Sequence, residues 1–184
     1  MFTARKVAQM AAVFAKAQGG TINVLKLVKL LYLADREALS RHGFPISFDN
    51  VVAMPHGPVL SRTLDLINGF VDGPRGAQWD EWIGDREDHN VTLRRDFSRA
   101  DLDELSDTDL EVINDVNSQF GKWDQWTLRN YTHDLKEWRD PSGSRVAIPD
   151  EEILIALGRD AKEAAALAQE IQTQRDFDRV LSSL

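Results

Sequence analysis

The chain has 184 residues, 42% of them apolar and 28% charged, with a formal net charge of −8 and no cysteine. That length suits one domain with a substantial core, and the composition argues against disorder. The acidic balance disfavours general nucleic-acid binding, which needs a basic face, and suits a basic protein partner better; disulfides and thiolate metal sites are excluded.

The first eighteen residues mix Lys, Arg and Gln with short apolar stretches, so they read as a helix and not as a signal peptide. No run of about 18 uncharged apolar residues occurs, and nothing is expected to span a membrane. The spacing of Val7, Met10, Ala11 and Phe14 predicts a first helix over Ala4 to Gln18, ended by Gly19-Gly20. A second helix is expected from about Ile22 to Arg41. It is apolar nearly all round, which places it at the centre of the fold. Gly43 stops it, and an extended piece follows at Asp49 to Met54. Pro55 to Pro58 turns the chain, with Pro58 placed to open a third helix reaching about Phe70.

Gly69, Gly73, Pro74 and Gly76 mark a loop. Two strands are expected next, Trp79 to Ile83 and His89 to Arg94, joined as a hairpin by Gly84 to Asp88. Ser106 with Asp109 has the form of a capping box, and Leu110, Ile113, Val116 and Phe120 follow at helical spacing. A short helix is expected around Asp124 to Leu135, then a loop punctuated by Pro141, Gly143 and Pro149. A last helical region starts near Asp150 and runs toward Leu184. The fold class is mainly α: a single helical domain with a small antiparallel β-hairpin or sheet. The domain proper is expected over residues 1–157, followed by a C-terminal helical extension over 158–184.

Asp35 falls on the apolar side of the second helix, among Val24, Val28 and Leu31. A buried carboxylate costs several kcal/mol, on the order of the usual penalty, unless it is hydrogen-bonded or paired. Asp35 is therefore expected to tie the helix to the His56-Gly57-Pro58 junction, by backbone N–H groups there or by His56 or Arg62. A fold-fixing contact is the preferred reading over a catalytic acid. His42 suits a helix end, and His89 an exposed turn. His56 and His133 read as buried hydrogen-bonding histidines. A metal would need further ligands that no local pattern supplies. Phosphate-loop, nucleophile-elbow and deaminase motifs are absent from the sequence, so neither catalytic residues, metal nor cofactor are expected.

The tail carries two apolar sets. Leu157, Ala161, Ala164, Ala168 and Ile171 line one side of a helix; Phe177, Val180, Leu181 and Leu184 also keep helical spacing. In one straight helix the second set points roughly 180° from the first. Either the helix breaks near Gln174 and folds back, or the second set meets a partner or another copy of the chain. Asp101 to Asp115 holds seven acidic residues and no Lys or Arg. It reads mostly as solvated surface and helix-terminal charge, with the steering of a basic partner as the alternative.

Three separated segments carry a resemblance. These are Leu-Val-Lys-Leu-Leu-Tyr-Leu-Ala-Asp (27–35), His-Gly-Pro-Val (56–59) and Thr-His-x-x-x-x-Trp (132–138). In order and spacing they resemble the Panacea, or SocA-like, antitoxin domain over roughly Thr3 to Leu157. The resemblance implies a mainly helical, non-catalytic, cytoplasmic protein that neutralises a bacterial or phage toxin by binding it. For some members it implies an adaptor role, handing the toxin to a Clp-type protease. It marks Lys29, Leu30, Leu31, Tyr32, Gly57, Pro58, Val59, Thr132, His133 and Trp138, positions expected to hold the fold more than to touch the toxin. Asp35 and His56 belong with these structural positions on the reading above.

The expected function is thus an antitoxin whose partner is a cognate toxin, with Phe177, Val180, Leu181 and Leu184 as the candidate interface. A proteolytic adaptor or chaperone delivering a client toxin is the alternative, and self-association remains open. A transcriptional regulator would need a basic recognition helix; the best candidate, with Lys26, Lys29 and Arg36, is too central and too apolar to enter a groove. An enzyme is the least favoured class, because no nucleophile–base or metal constellation assembles from the sequence.

Overall fold

A computed structural model describes residues 1–181. Helix α1 spans Ala4–Ala17, with Thr3 capping it by accepting from the Lys6 N–H. Gly19 and Gly20 take left-handed φ values of 82° and 96°, and the chain enters a short strand, β1 (Thr21–Asn23). Helix α2 (Val24–His42) starts at Asn23, whose side chain accepts from the Lys26 N–H, and stops at Gly43 in the left-handed region. Leu27, Leu30, Leu31, Tyr32 and Ala34 are fully buried, so α2 is the central helix that its apolar circumference predicts.

Two strands follow as a hairpin, β2 (Val51–Met54) and β3 (Gly57–Leu60), with Ala53 opposite Pro58. Helix α3 covers Ser61–Ile67. Pro58 therefore does not open the third helix; it lies in β3. β3 pairs only with β2 and is an edge strand, where a residue without an N–H is tolerated. The helix starts later because its cap comes from elsewhere. Asp49, buried, accepts from the Arg62 and Thr63 N–H groups at 3.1 and 2.8 Å, and from the Thr63 hydroxyl at 2.8 Å.

Helix α4 (Gly73–Asp80) occupies part of the region expected to be loop and strand. Gly73-Pro74 opens a helix rather than marking a loop, as proline in the first turn can, and Trp79 is buried near its end. Of the expected hairpin, only the bridges Ile83–Leu93 and Glu87–Asn90 form. The second strand, β4 (Asn90–Thr92), instead pairs antiparallel with β1.

A turn of 3₁₀ helix at Arg99–Asp101 precedes α5 (Asp107–Phe120), whose Ser106/Asp109 capping box forms as read from the sequence. Helix α6 (Gln125–His133) is capped by Asp124. Strand β5 (Val146–Ala147) adds to the hairpin sheet, and α7 covers Asp150–Ala156. Gly158, at φ 96°, separates α7 from α8 (Ala161–Leu181). The break lies here and not near Gln174. The fold is mainly α, with two small antiparallel sheets, and no helix among the described residues is long and apolar enough to cross a membrane.

Helix α8 is held down by Ala164 and Ile171, both fully buried, and by Arg175. The Arg175 guanidinium pairs with the Asp150 carboxylate and donates to the Asp49 and Phe48 carbonyls at 2.6 and 3.1 Å. Beyond that anchor Phe177 and Val180 are 63% and 59% exposed. Leu181 closes the helix, and Leu184 lies outside the described residues.

Candidate functional site

The three separated segments meet in space at Gly57. Its φ of 96° belongs to glycine, and its neighbours leave no room for a side chain. A Cβ there would lie 2.7 Å from Thr132 Oγ1, 2.9 Å from Lys29 Nζ and 3.2 Å from His133 Cδ2. Lys29, fully buried on α2, donates from Nζ to the Pro58 carbonyl at 2.9 Å. Thr132, fully buried on α6, donates its hydroxyl back to the Arg129 carbonyl at 2.9 Å. The His133 ring stacks on Trp138 with centroids 4.0 Å apart and planes within 7°, and Trp138 Nε1–H donates to the Met54 carbonyl at 3.2 Å. One residue from each segment thus fixes the β2–β3 turn between α2 and α6.

A second junction sits one turn further along α2. Glu137 is buried, and its carboxylate accepts from the Tyr32 hydroxyl and from Arg36 Nε, both at 2.6 Å. Burial alone would raise the Glu137 carboxyl, but the hydrogen bonds from Arg36 and Tyr32 outweigh it and the net shift is downward. Tyr32 moves the other way: burial and the adjacent carboxylate push its hydroxyl well above the ordinary range. At Gly57, burial lowers the Lys29 amine to about 7. His133 is lowered by burial and then by the neighbouring charges of Arg129 and Lys29.

The family described as antitoxin SocA-like, Panacea domain, matches residues 27–139. The match starts in α2 and ends one residue past Trp138, so it encloses both junctions and well over half of the chain. The chain belongs to the SocA-like Panacea antitoxin family. The matched stretch is shorter than the Thr3-to-Leu157 resemblance, leaving α1, α7 and α8 outside it. No curated protein and no solved structure matches the chain.

Within this Panacea domain, Lys29, Gly57, Pro58, Thr132, His133 and Trp138 come together around the β2–β3 turn, while Tyr32 lies at the Glu137 junction. Asp35 is buried as expected, but its partner is different. Its carboxylate accepts from the Ser47 N–H at 2.9 Å and from the Ser47 hydroxyl, not from the His56-Gly57-Pro58 junction. Ser47 Oγ in turn accepts from the Asp49 N–H at 3.0 Å, and Asp49 caps α3 and meets Arg62 Nε at 3.1 Å. Arg62 therefore belongs to the same network one step removed. Burial raises the Asp35 carboxyl to about 7 against the opposing pull of the Ser47 hydrogen bonds. His56 is exposed, contrary to the buried role read from the sequence, because it occupies the tip of the hairpin turn. His133 is half-buried, with its Nε2 enclosed and without a hydrogen-bond partner among the described residues.

The acidic stretch from Asp101 to Asp115 is largely engaged by the chain itself. Arg5 meets Asp103, Lys6 meets Asp109, Arg41 meets Asp115, Arg95 meets Asp101 and Arg99 meets Asp107. A patch so paired presents much less negative charge than its sequence suggests. Neither the Glu137 junction nor the Arg175 anchor is readable from the sequence. Their partners lie 101 and 25 residues away, beyond the reach of periodicity.

Proposed function

We propose that this Panacea domain is a non-catalytic antitoxin that binds one cognate toxin directly and blocks it in the cytoplasm. Family membership carries the reading. The geometry is consistent with it: the family-signature side chains are engaged inside the fold, holding α2, the hairpin and α6 in register, which leaves recognition to the surface they support. In this reading residues 1–157 form the antitoxin body and 158–184 an extension. Gly158 lies between α7 and α8, and α8 continues past its Arg175 anchor, with Phe177 and Val180 exposed. Phe177, Val180 and Leu181, with Leu184 on the same stripe of the sequence, are proposed as part of the toxin-contacting surface. The same exposed helix end favours a second reading, an adaptor that presents the bound toxin to a Clp-type protease.

The test is co-expression rescue. The product of the gene beside this one is induced in a bacterium with and without the full chain. Restored growth supports the antitoxin reading, and rescue that persists without the protease favours blocking over delivery. A toxic neighbour that soluble full-length chain fails to neutralise contradicts both.

A further inference from the structure

Beside the Gly57 junction lies an open groove of about 630 Å³ between α2, the β2–β3 turn and the start of α6. Its walls are apolar, with Val24, Val28, Val59 and Leu64 among them, and Trp126, 53% exposed, stands on its edge. The ionisable side chains that line it are of one kind: Lys29, His56, Arg86 and His89. Among the described residues no Asp or Glu lines it, in a chain whose net charge is −8. The acids of the neighbouring loop, Asp85, Glu87 and Asp88, border a separate hollow with Arg94.

The partners of the arginines sharpen the contrast. Arg5, Arg36, Arg41, Arg95, Arg99 and Arg175 each meet a carboxylate of the chain. Among the described residues Arg86 does not. Its guanidinium bonds the neutral Asn68 side chain at 2.7 Å and the His89 ring at 3.2 Å. Arg129, next to the groove's edge, bonds Asn130 and lies over the Trp126 ring at 5.5 Å. An apolar trough with an aromatic edge and uncompensated cations is complementary to a segment with apolar side chains in the trough and carboxylates along the edge.

Resting on the antitoxin reading, we propose that this groove receives an acidic, apolar peptide segment of the toxin, its carboxylates directed at Arg86 and the adjoining basic side chains. The buried Lys29 amine beneath the groove adds to the field without needing to touch the segment. A bound carboxylate nearby would favour the ammonium form of Lys29.

The experiment selects short linear peptides from a random display library against the full chain, then titrates the synthesised winners by fluorescence anisotropy. Winners should combine apolar residues with Asp or Glu, and their affinity should fall as salt rises. Arg86→Glu should weaken them by about tenfold or more, as loss and reversal of an interfacial charge does. Trp126→Ala should weaken them too, and Lys162→Glu, a charge reversal at an exposed position of α8 outside the groove, should not. Both groove variants change exposed side chains, and circular dichroism verifies that they fold. No enrichment, winners that are basic or neutral, or binding indifferent to both groove variants overturns the proposal. In the rescue assay, folded Arg86→Glu protein should lose neutralisation; full rescue by it removes the groove from toxin binding while leaving the antitoxin reading intact. If the wild-type chain itself fails to rescue, the antitoxin reading falls, and the toxin assignment of the groove falls with it; the peptide selection still decides the groove's chemistry.

Discussion

Gly57→Ala tests the junction where the family segments meet. The new Cβ would have to occupy space 2.7 Å from Thr132 Oγ1 and 2.9 Å from Lys29 Nζ. Neither neighbour can move cheaply: Thr132 is buried and bonded to the Arg129 carbonyl, and Lys29 is buried and bonded to the Pro58 carbonyl. An L-residue held at left-handed φ costs about 1–2 kcal/mol, and overpacking a tight site adds about 1–3 kcal/mol. Gly143 provides the control. It has φ 84°, and a Cβ added there would meet nothing within 4 Å, so Gly143→Ala carries the backbone cost alone. The two variants should differ by the steric part, about 1–3 kcal/mol. For a chain of this size that is about 2–4 °C in Tm per kcal/mol. Thermal and urea unfolding of both variants measures the difference. Equal destabilisation of the two would refute the claim that close approach to Thr132 and Lys29 makes Gly57 irreplaceable.

Four further outcomes follow from the buried charges and the tail. Glu137→Ala strands the Tyr32 hydroxyl and the Arg36 guanidinium and should cost toward the lower end of the about 3–5 kcal/mol seen for broken buried pairs, since Arg36 is partly solvated; urea unfolding reads it. The Asp35 carboxyl is raised in the folded state to about 7, so the folded chain binds the extra proton between the unfolded value and 7. Its contribution to stability is therefore full at low pH and is lost as pH rises through 7; Asp35→Asn should remove that downward slope relative to wild type. Lys29 has the opposite sign: its folded value falls to about 7, so stability is gained as pH rises from 7 toward the unfolded value, and Lys29→Met should abolish the gain. Truncation after Asp176 should weaken toxin neutralisation, whereas truncation after Gln174 also removes the Arg175 anchor and should lower Tm.

The helices are legible in the sequence where the signal is local. Thr3, Asn23, Ser106 and Asp124 each cap a helix through their own side chains, and Gly43 ends α2 by its left-handed conformation. Sequence reasoning fails where a distant group decides the outcome. Pro58 reads as a helix opener, yet α3 waits three residues for the cap that Asp49 supplies across the chain. Trp79 reads as part of a strand, but it lies on the buried face of a helix begun by Gly73-Pro74. The family segments are visible as a set, and the reason they form a set is tertiary: Lys29, Gly57 and Thr132 occupy one small volume. Asp35 is recognisable as a buried carboxylate needing donors, but periodicity cannot choose Ser47 over the hairpin turn. The basic groove leaves no mark in the sequence, since its basic side chains come from α2, the hairpin turn and the loop before β4, and only folding gathers them.

The most direct measurement of the central claim is titration of the purified toxin with the purified full-length chain, following complex formation by calorimetry and toxin activity in the same samples. Stoichiometric binding that silences the toxin with no protease present is the result this account predicts. Absence of a complex, or a complex in which the toxin stays fully active, would contradict it.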